Sequence, residues 1–120
     1  DNRLYNALTG ALDITSDVTG VLFEEEDRSE FKNEGAAIIE ADEYGIRFYD
    51  VDNGIINNSS TGNFDIKGDK YGIGFENSVG GEFKNEGAAI IETKIIPIFF
   101  IRGENNKLHN ALTGNLNIKI

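Results

Sequence analysis

The side chains best suited to catalysis are two carboxylate pairs that recur at equivalent positions of a sequence repeat. Glu25 and Asp27 are followed by Asp50 and Asp52 with the same internal spacing. If the repeat is one structural turn, each carboxylate faces its counterpart on a neighbouring strand. Their separation is then about 5 Å, which suits the nucleophile and the acid/base group of a retaining glycosidase. An acidic run such as residues 24–27 is also typical of a solvated loop. We therefore predict no catalytic site, and polysaccharide cleavage by these four residues is the alternative.

A second set of carboxylates has the chemistry to bind a cation. Asp17, Asp42 and Asp69 each precede a glycine by three residues, and Lys94 takes this position in the next repeat. Stacked carboxylates repel one another, and Ca²⁺, which prefers oxygen ligands, would relieve that repulsion. The stronger interpretation is a local turn in which each Asp accepts a backbone N–H. We expect no resident cofactor and keep these three residues as the calcium candidate.

The composition excludes other chemistry and other partners. The 120 residues include 11 Lys and Arg against 21 Asp and Glu, a net charge of −10, so nucleic acid and anionic lipid are repelled. Cysteine is absent, which excludes disulfides and thiolate sites. No apolar run approaches the ~18 residues of a membrane-spanning helix. We expect no nucleic-acid partner and no membrane insertion.

The candidate residues must be positioned by a repeat that runs through the whole chain. The segment EFKNEGAAIIE occupies residues 30–40 and again 82–92, and the pattern of residues 1–14 returns at 105–118. An Asn recurs at positions 6, 33, 58, 85 and 110, so that a longer step alternates with a shorter one. The number of residues between this Asn and the next glycine alternates in the same way, three in odd repeats and one in even repeats. Each repeat also holds three short apolar pieces with period-two alternation, which predict strands and hence one turn of a coil.

The predicted fold is all-β, a right-handed parallel β-helix, or β-solenoid, with about 25–27 residues and three short strands per rung. We expect one domain with rungs at about residues 4–27, 28–52, 53–78 and 79–104, a partial rung at 105–120, and uncapped ends. Stacked rungs place like residues in ladders, here an internal aromatic stack and a column of amides at a corner. The ladder members are Phe23, Phe48, Phe75 and Phe100, and Asn6, Asn33, Asn58, Asn85 and Asn110.

Two details of this fold stay open in the sequence. Ile38 and Ile90 compete with the preceding alanines, Ala37 and Ala89, for the inward direction. Pro97 replaces the glycine that opens the third strand in other repeats, so the fourth rung is expected to be less regular.

An outward apolar face is the feature least expected of a rod whose whole surface contacts water. Leu22, Tyr49, Phe99 and Ile101 are expected to point outward, and the uncharged run at 95–101 is interrupted only by proline. Such clusters mark partner surfaces, and burial under a rearranged fourth rung is the alternative. Uncapped rungs also leave unpaired backbone groups and an open core. We therefore expect further copies of the chain, stacked end to end or laterally, or flanking repeats of a longer protein from which this Met-free segment is processed or excised.

The corner and strand motifs resemble those of known repeats. The corners read Asn33-Glu34-Gly35 and Asn85-Glu86-Gly87, and the third strands open with Tyr44-Gly45-Ile46 and Tyr71-Gly72-Ile73. In this combination the chain resembles the right-handed β-helix of bacterial autotransporter passengers and filamentous-haemagglutinin-like adhesins. The resemblance implies an extracellular or cell-surface protein that acts as a stalk, filament subunit or adhesin segment, with host or surface glycans as partners. We therefore predict a non-enzymatic structural or adhesive role.

Overall fold

A computed structural model describes all 120 residues, and every regular element in it is a β-strand. The strands have four to six residues, as expected for short alternating apolar segments between turn residues. In chain order they are β1 (Arg3–Asn6), β2 (Ala11–Ser16), β3 (Thr19–Glu24), β4 (Glu30–Asn33), β5 (Ala36–Ala41), β6 (Tyr44–Tyr49), β7 (Ile55–Asn58), β8 (Asn63–Gly68), β9 (Tyr71–Glu76), β10 (Glu82–Asn85), β11 (Ala88–Thr93), β12 (Ile96–Ile101), β13 (Lys107–Asn110) and β14 (Asn115–Lys119). The structure contains no membrane-spanning helix.

The strands form three parallel sheets that run along the axis of a coil. The first sheet has the order β1-β4-β7-β10-β13, the second β2-β5-β8-β11-β14, and the third β3-β6-β9-β12. Each of the first four turns adds one strand to each sheet, and a partial fifth turn adds β13 and β14 to the first two sheets, so that about five turns make the protein. Equivalent residues lie side by side, as Leu4 does with Phe31 and Phe83 with Leu108. The prediction of an all-β parallel solenoid with three strands per rung is confirmed.

Aromatic rings form the centre of the core. Phe23, Phe48, Phe75 and Phe100 stack along the axis, with successive ring centroids 4.7, 4.8 and 5.3 Å apart. This spacing matches the separation of neighbouring strands, so each ring contacts the ring of the next turn.

The second sheet alternates large and small residues on its inner side. Phe64 lies between Ala37 and Ala89 of the adjacent turns, and both alanines are 1% exposed. Ile38 is 43% exposed, and Ile90 also points outward. Turning the two isoleucines inward beside a phenylalanine would overpack the core, which decides the direction that the sequence left open.

The asparagine column forms a continuous hydrogen-bond ladder at the first corner. Asn6 Nδ2 donates to Asn33 Oδ1 at 2.8 Å, and the bond repeats through Asn58 and Asn85 to Asn110 at 2.9, 2.7 and 2.8 Å. Each Nδ2 group also donates to a backbone carbonyl of the corner or of the first residue of a second-sheet strand. Every side chain donates in the same direction, so the ladder has an acceptor end and a donor end, and its bonds polarise one another.

The alternation between longer and shorter turns arises at this corner. Odd turns use four residues, as at 7–10, where Gly10 N donates to Ala7 O at 2.7 Å. Even turns use two, of which the second is Gly35 or Gly87. A Cβ on Gly35 would come within 2.4 Å of the carbonyl oxygens of Ala7 and Gly10, so the wide corner of one turn rests on a glycine of the next.

A five-residue loop closes each turn at the third corner, at 25–29, 50–54, 77–81 and 102–106. Its first and fourth residues have left-handed backbone conformation in every turn. The first positions are Glu25, Asp50, Asn77 and Arg102, with φ of 54, 52, 51 and 53°, and the fourth are Arg28, Asn53, Gly80 and Asn105, with φ of 57, 55, 69 and 57°. Asn and Gly adopt this conformation readily, whereas the stacked turns impose it on Glu and Arg.

The fourth turn is as regular as the others. Pro97 occupies the position of Gly20, Gly45 and Gly72, which is skipped in the strand pairing of every turn, and pairing resumes with Ile98 beside Ile73. A residue without a backbone N–H is tolerated at such an interruption. The expected irregularity of this turn is therefore not found, and the run at 95–101 is not buried under a rearranged rung.

Candidate functional site

The outer surface of the third sheet carries most of the outward-facing aromatic side chains of the protein. Its outward positions form three columns across the four strands, and we call them together the third-sheet face. The columns are Thr19, Tyr44, Tyr71 and Ile96; Leu22, Arg47, Gly74 and Phe99; and Glu24, Tyr49, Glu76 and Ile101.

Arg47 lies at the centre of this face. Its guanidinium pairs with Glu76 of the next turn, with Nε 2.9 Å from Oε2. It also lies over the rings of Tyr44 and Tyr49, 4.7 and 4.9 Å from their centroids, positions that favour cation–π attraction. Burial acts to lower the pKa of Arg47, but the hydrogen bonds and charge of Glu76 raise it above its ordinary value. The ion pair leaves the centre of the face without net charge.

A groove opens beside the ion pair, and the space above Gly74, which has no side chain, is filled by an aromatic ring. The Phe99 ring leans over this glycine, where a Cβ would lie 2.5 Å from a ring carbon. Phe99 packs edge-on against Tyr71 at 5.1 Å, and Tyr71 stacks on Tyr44 at 4.8 Å, both between centroids. The cavity measures about 210 Å³ and is lined by Tyr44, Tyr71, Glu76, Ile96, Phe99, Phe100 and Ile101. Its only charged group is already paired, so the groove is suited to an apolar group.

The four residues predicted as an interface lie on this face at different depths. Leu22 and Ile101 are 48 and 47% exposed, whereas Tyr49 and Phe99 are half-buried. Two residues separate Leu22 from Phe99 in their column, so the leucine lies outside the groove. The structure brings Phe99 and Ile101 together at the groove.

The interface predicted from the sequence omits Tyr44 and Tyr71. These residues open the third strands of their turns, and in the structure they form one wall of the groove. Burial raises the pKa of the Tyr44 hydroxyl. The repeated Tyr-Gly pair was a usable signal, because a large side chain repeated at one position of successive turns must form a column.

The catalytic alternative falls on the third corner. Glu25 N donates to Tyr49 O at 3.0 Å, which stacks Glu25 next to Asp50, and the same register stacks Asp27 next to Asp52. All four side chains are exposed, and none lines a cavity. Asp52 Oδ1 accepts a hydrogen bond from Val79 N at 3.0 Å, which is a structural role for that carboxylate.

The calcium candidate does not form a cluster. No group of three or more His, Asp or Glu side chains is arranged to hold a metal ion. Asp69 accepts from Lys94 Nζ at 2.7 Å, and that contact raises the pKa of the lysine. The expected Asp turn is also not found, because no side chain of Asp17, Asp42 or Asp69 accepts a backbone N–H, whereas Ser16 Oγ accepts from Val18 N at 3.3 Å.

The largest cavity, about 500 Å³, lies on the outer side of the first sheet. It is lined by Arg3, Leu4, Tyr5, Glu30, Lys32 and Asn57. Lys32 Nζ is 2.7 Å from a Glu34 oxygen, and Tyr5 Oη donates to the other oxygen at 2.6 Å. These bonds lower the pKa of Glu34, the lysine bond more than the tyrosine bond. The charged groups therefore satisfy one another, and the cavity offers no free set of ligands.

Charge is distributed along the axis in a gradient. Residues 1–27 contain seven Asp and Glu against one Arg, whereas residues 105–120 contain two Lys and no Asp or Glu. Turn by turn, from 1–27 through 28–52, 53–78 and 79–104 to 105–120, the formal charges are −6, −4, −1, −1 and +2. The first turn is therefore acidic and the last is basic, which the overall charge of −10 conceals.

Comparison with known proteins gives no family for this architecture. The chain matches no protein-family model, no curated protein and no solved structure.

Proposed function

We propose that the protein is a non-enzymatic structural β-solenoid that assembles head to tail, as a stalk or filament subunit. The observation that carries this proposal is the axial charge gradient. A last turn of +2 is attracted to a first turn of −6 on another copy, whereas head-to-head contact would bring two acidic turns together. Electrostatics thus selects one polarity of stacking.

The backbone and the amide ladder support the same polarity. In the first and second sheets, the strands of the first and last turns have parallel neighbours on one side only, so a further turn satisfies the open N–H and C=O groups of these two sheets. Asn110 Nδ2 lies at the donor end of the ladder and Asn6 Oδ1 at the acceptor end. Head-to-tail stacking lets the ladder continue from one copy into the next.

The proposed setting is outside a bacterial cell or on its surface, as the resemblance to autotransporter and haemagglutinin-like repeats implies. The third-sheet face would then be the side surface that docks partners, host or surface glycans among them. Neither a resident cofactor nor a nucleic-acid or membrane partner belongs to this proposal.

Polysaccharide cleavage is the competing proposal, and it draws on the stacked carboxylates alone. Glu25, Asp27, Asp50 and Asp52 are exposed, whereas glycoside hydrolysis needs a raised pKa on one carboxyl and a site that holds the sugar. In the structural proposal, replacing Glu25 by Gln together with Asp50 by Asn leaves the fold and filament formation intact, because the first turn keeps five of its six net negative charges. Loss of a polysaccharide-cleaving activity in that variant would support catalysis.

Charge reversal at the basic end tests the assembly proposal. Lys107→Glu combined with Lys119→Glu changes two exposed side chains of the last turn. We expect the parent chain to form filaments one solenoid wide in electron micrographs, and this variant to need at least tenfold more protein to form them. The matched control is Lys67→Glu with Lys94→Glu, which makes the same charge change at mid-axis, where the broken surface ion pairs are worth little. Equal assembly of the two double variants would contradict the proposal.

A further inference from the structure

Two wide corners expose leucines that the fold does not require. The tips of the loops at 7–10 and 111–114 carry Leu8 and Leu112, which are 61 and 104% exposed. The equivalent loop at 59–62 carries Ser60 at its tip and closes with the same bond, Gly62 N to Ser59 O at 2.9 Å. Serine at the tip is therefore compatible with the folding of this loop.

The groove of the third-sheet face is the apolar counterpart of these tips. Its 210 Å³ has room for the four carbon atoms of a leucine side chain. Its one carboxylate is neutralised by Arg47, and the loop at 111–114 has no charged residue. Neither surface requires the desolvation of an unpaired charge on contact.

The net charges of their turns distinguish Leu112 from Leu8 as the residue that binds in the groove. Leu112 belongs to the last turn, with Lys107 and Lys119 and a charge of +2, whereas Leu8 belongs to the first turn, with −6. The turns that build the groove, residues 28–104, carry −4, −1 and −1. The groove itself is neutral, but the turns that contain it carry a net negative charge, which attracts the loop of Leu112 and repels the loop of Leu8.

We propose that Leu112 of one copy inserts into the groove between Tyr71 and Ile101 of a second copy. The inference rests on the proposed function, because both require copies to associate, but it concerns the side of the rod and not its ends. The loop lies at the corner between the first and second sheets, whereas the groove lies on the third, so two copies cannot make the contact twice at once. The contact is therefore heterologous and joins neighbouring filaments without closing into a symmetric dimer.

The size of the face limits the strength of this contact. Four strands about 4.8 Å apart and six residues long cover roughly 400 Å², about half of the ~800 Å² per partner of a stable complex. The lateral contact is therefore weak on its own and becomes effective when many copies are aligned in filaments.

Cross-linking between two single-cysteine variants tests the contact, because the chain has no cysteine of its own. Thr113→Cys, beside Leu112, is mixed with ¹⁵N-labelled Ile101→Cys and treated with a short bismaleimide, and mass spectrometry counts the mixed dimers. The matched control is Thr9→Cys, the equivalent position beside Leu8. We expect at least tenfold more mixed dimer from Thr113 than from Thr9, and adding Leu112→Ser to the Thr113 variant lowers the yield about tenfold.

Different failures point to different parts of the account. If filaments form but the two cysteines cross-link equally, or Leu112→Ser changes nothing, the lateral contact is refuted and head-to-tail assembly stands. If neither filaments nor mixed dimers form at any concentration, both proposals are refuted. Because Ser60 already occupies the tip of the third-turn loop, we expect Leu112→Ser to melt like the parent chain, and melting measured beside the cross-linking checks this.

Discussion

Replacing Asn58 by alanine tests the amide ladder at its middle. Asn58 is fully buried, accepts from Asn33 Nδ2 at 2.9 Å, and donates to Asn85 Oδ1 and Ala88 O at 2.7 and 2.9 Å. Alanine leaves three buried groups each short of one hydrogen bond, namely Asn33 Nδ2, which keeps its bond to Gly35 O, Asn85 Oδ1 and Ala88 O. At about 1 kcal/mol or more for each group, the free energy of unfolding should fall by about 3–5 kcal/mol. For a chain of this length the melting temperature then falls by about 10 °C or more.

The measurement is chemical denaturation at fixed protein concentration, since association adds to the apparent stability. Asn57→Ala is the matched control, because Asn57 is the preceding residue, lies on the outer side of the sheet, and its buried Oδ1 atom has no hydrogen-bond partner. Since alanine removes no hydrogen bond of that atom, the unfolding free energy should fall by less than about 0.5 kcal/mol. If the two variants lose the same stability, or Asn58→Ala loses less than about 1 kcal/mol, the ladder does not stabilise the fold as argued.

Three further predictions concern the corners and one surface cluster. Gly87→Ala places a Cβ within 2.3 Å of two backbone carbonyl oxygens and should cost about 2 kcal/mol or more in thermal denaturation; an unchanged melting temperature would show that the corners are not in contact. Arg28→Asn should raise stability by about 0.5–1 kcal/mol, because Asn adopts the observed φ of 57° more readily and the lost ion pair is exposed; a fall in stability would contradict the strain argument. Carbon-detected NMR should give Glu34 a pKa below its ordinary value, and Lys32→Met should raise that pKa more than Tyr5→Phe does. The contacts of ionised Glu34 therefore stabilise the fold above the pKa of the unfolded state, about 4.3, and this stabilisation is lost as the pH falls through the lower pKa of the folded state. An unchanged pKa of Glu34 in Lys32→Met would rule out the assigned cause.

The repeat made the architecture predictable. Stacking of the alternating longer and shorter repeats brings equivalent side chains together, whatever the exact backbone geometry of each turn. The columns that include Phe48 and Asn58 therefore follow from the period alone. The facing of Ile38 could not be read in the same way, because two alanines followed by two isoleucines satisfy period-two alternation in either phase. Only the neighbouring turn, with Phe64 against the alanines, decides it.

The groove and the third corner depended on information that a single sequence does not carry. The contact of Arg47 with Glu76 joins side chains 29 residues apart and depends on how far a long side chain reaches across the sheet. The left-handed backbone at Glu25 and Arg28 has no local signal, since neither residue type favours that conformation. In both cases the stacked neighbours determine the local structure.

The most direct test of the central claim is the sedimentation of the unmodified chain over a range of protein and salt concentrations. Head-to-tail assembly driven by the charge gradient predicts a distribution that grows with protein concentration at low salt and shrinks as salt screens the charges. A single monomeric species at all protein concentrations in low salt, or growth that increases with added salt, would contradict it.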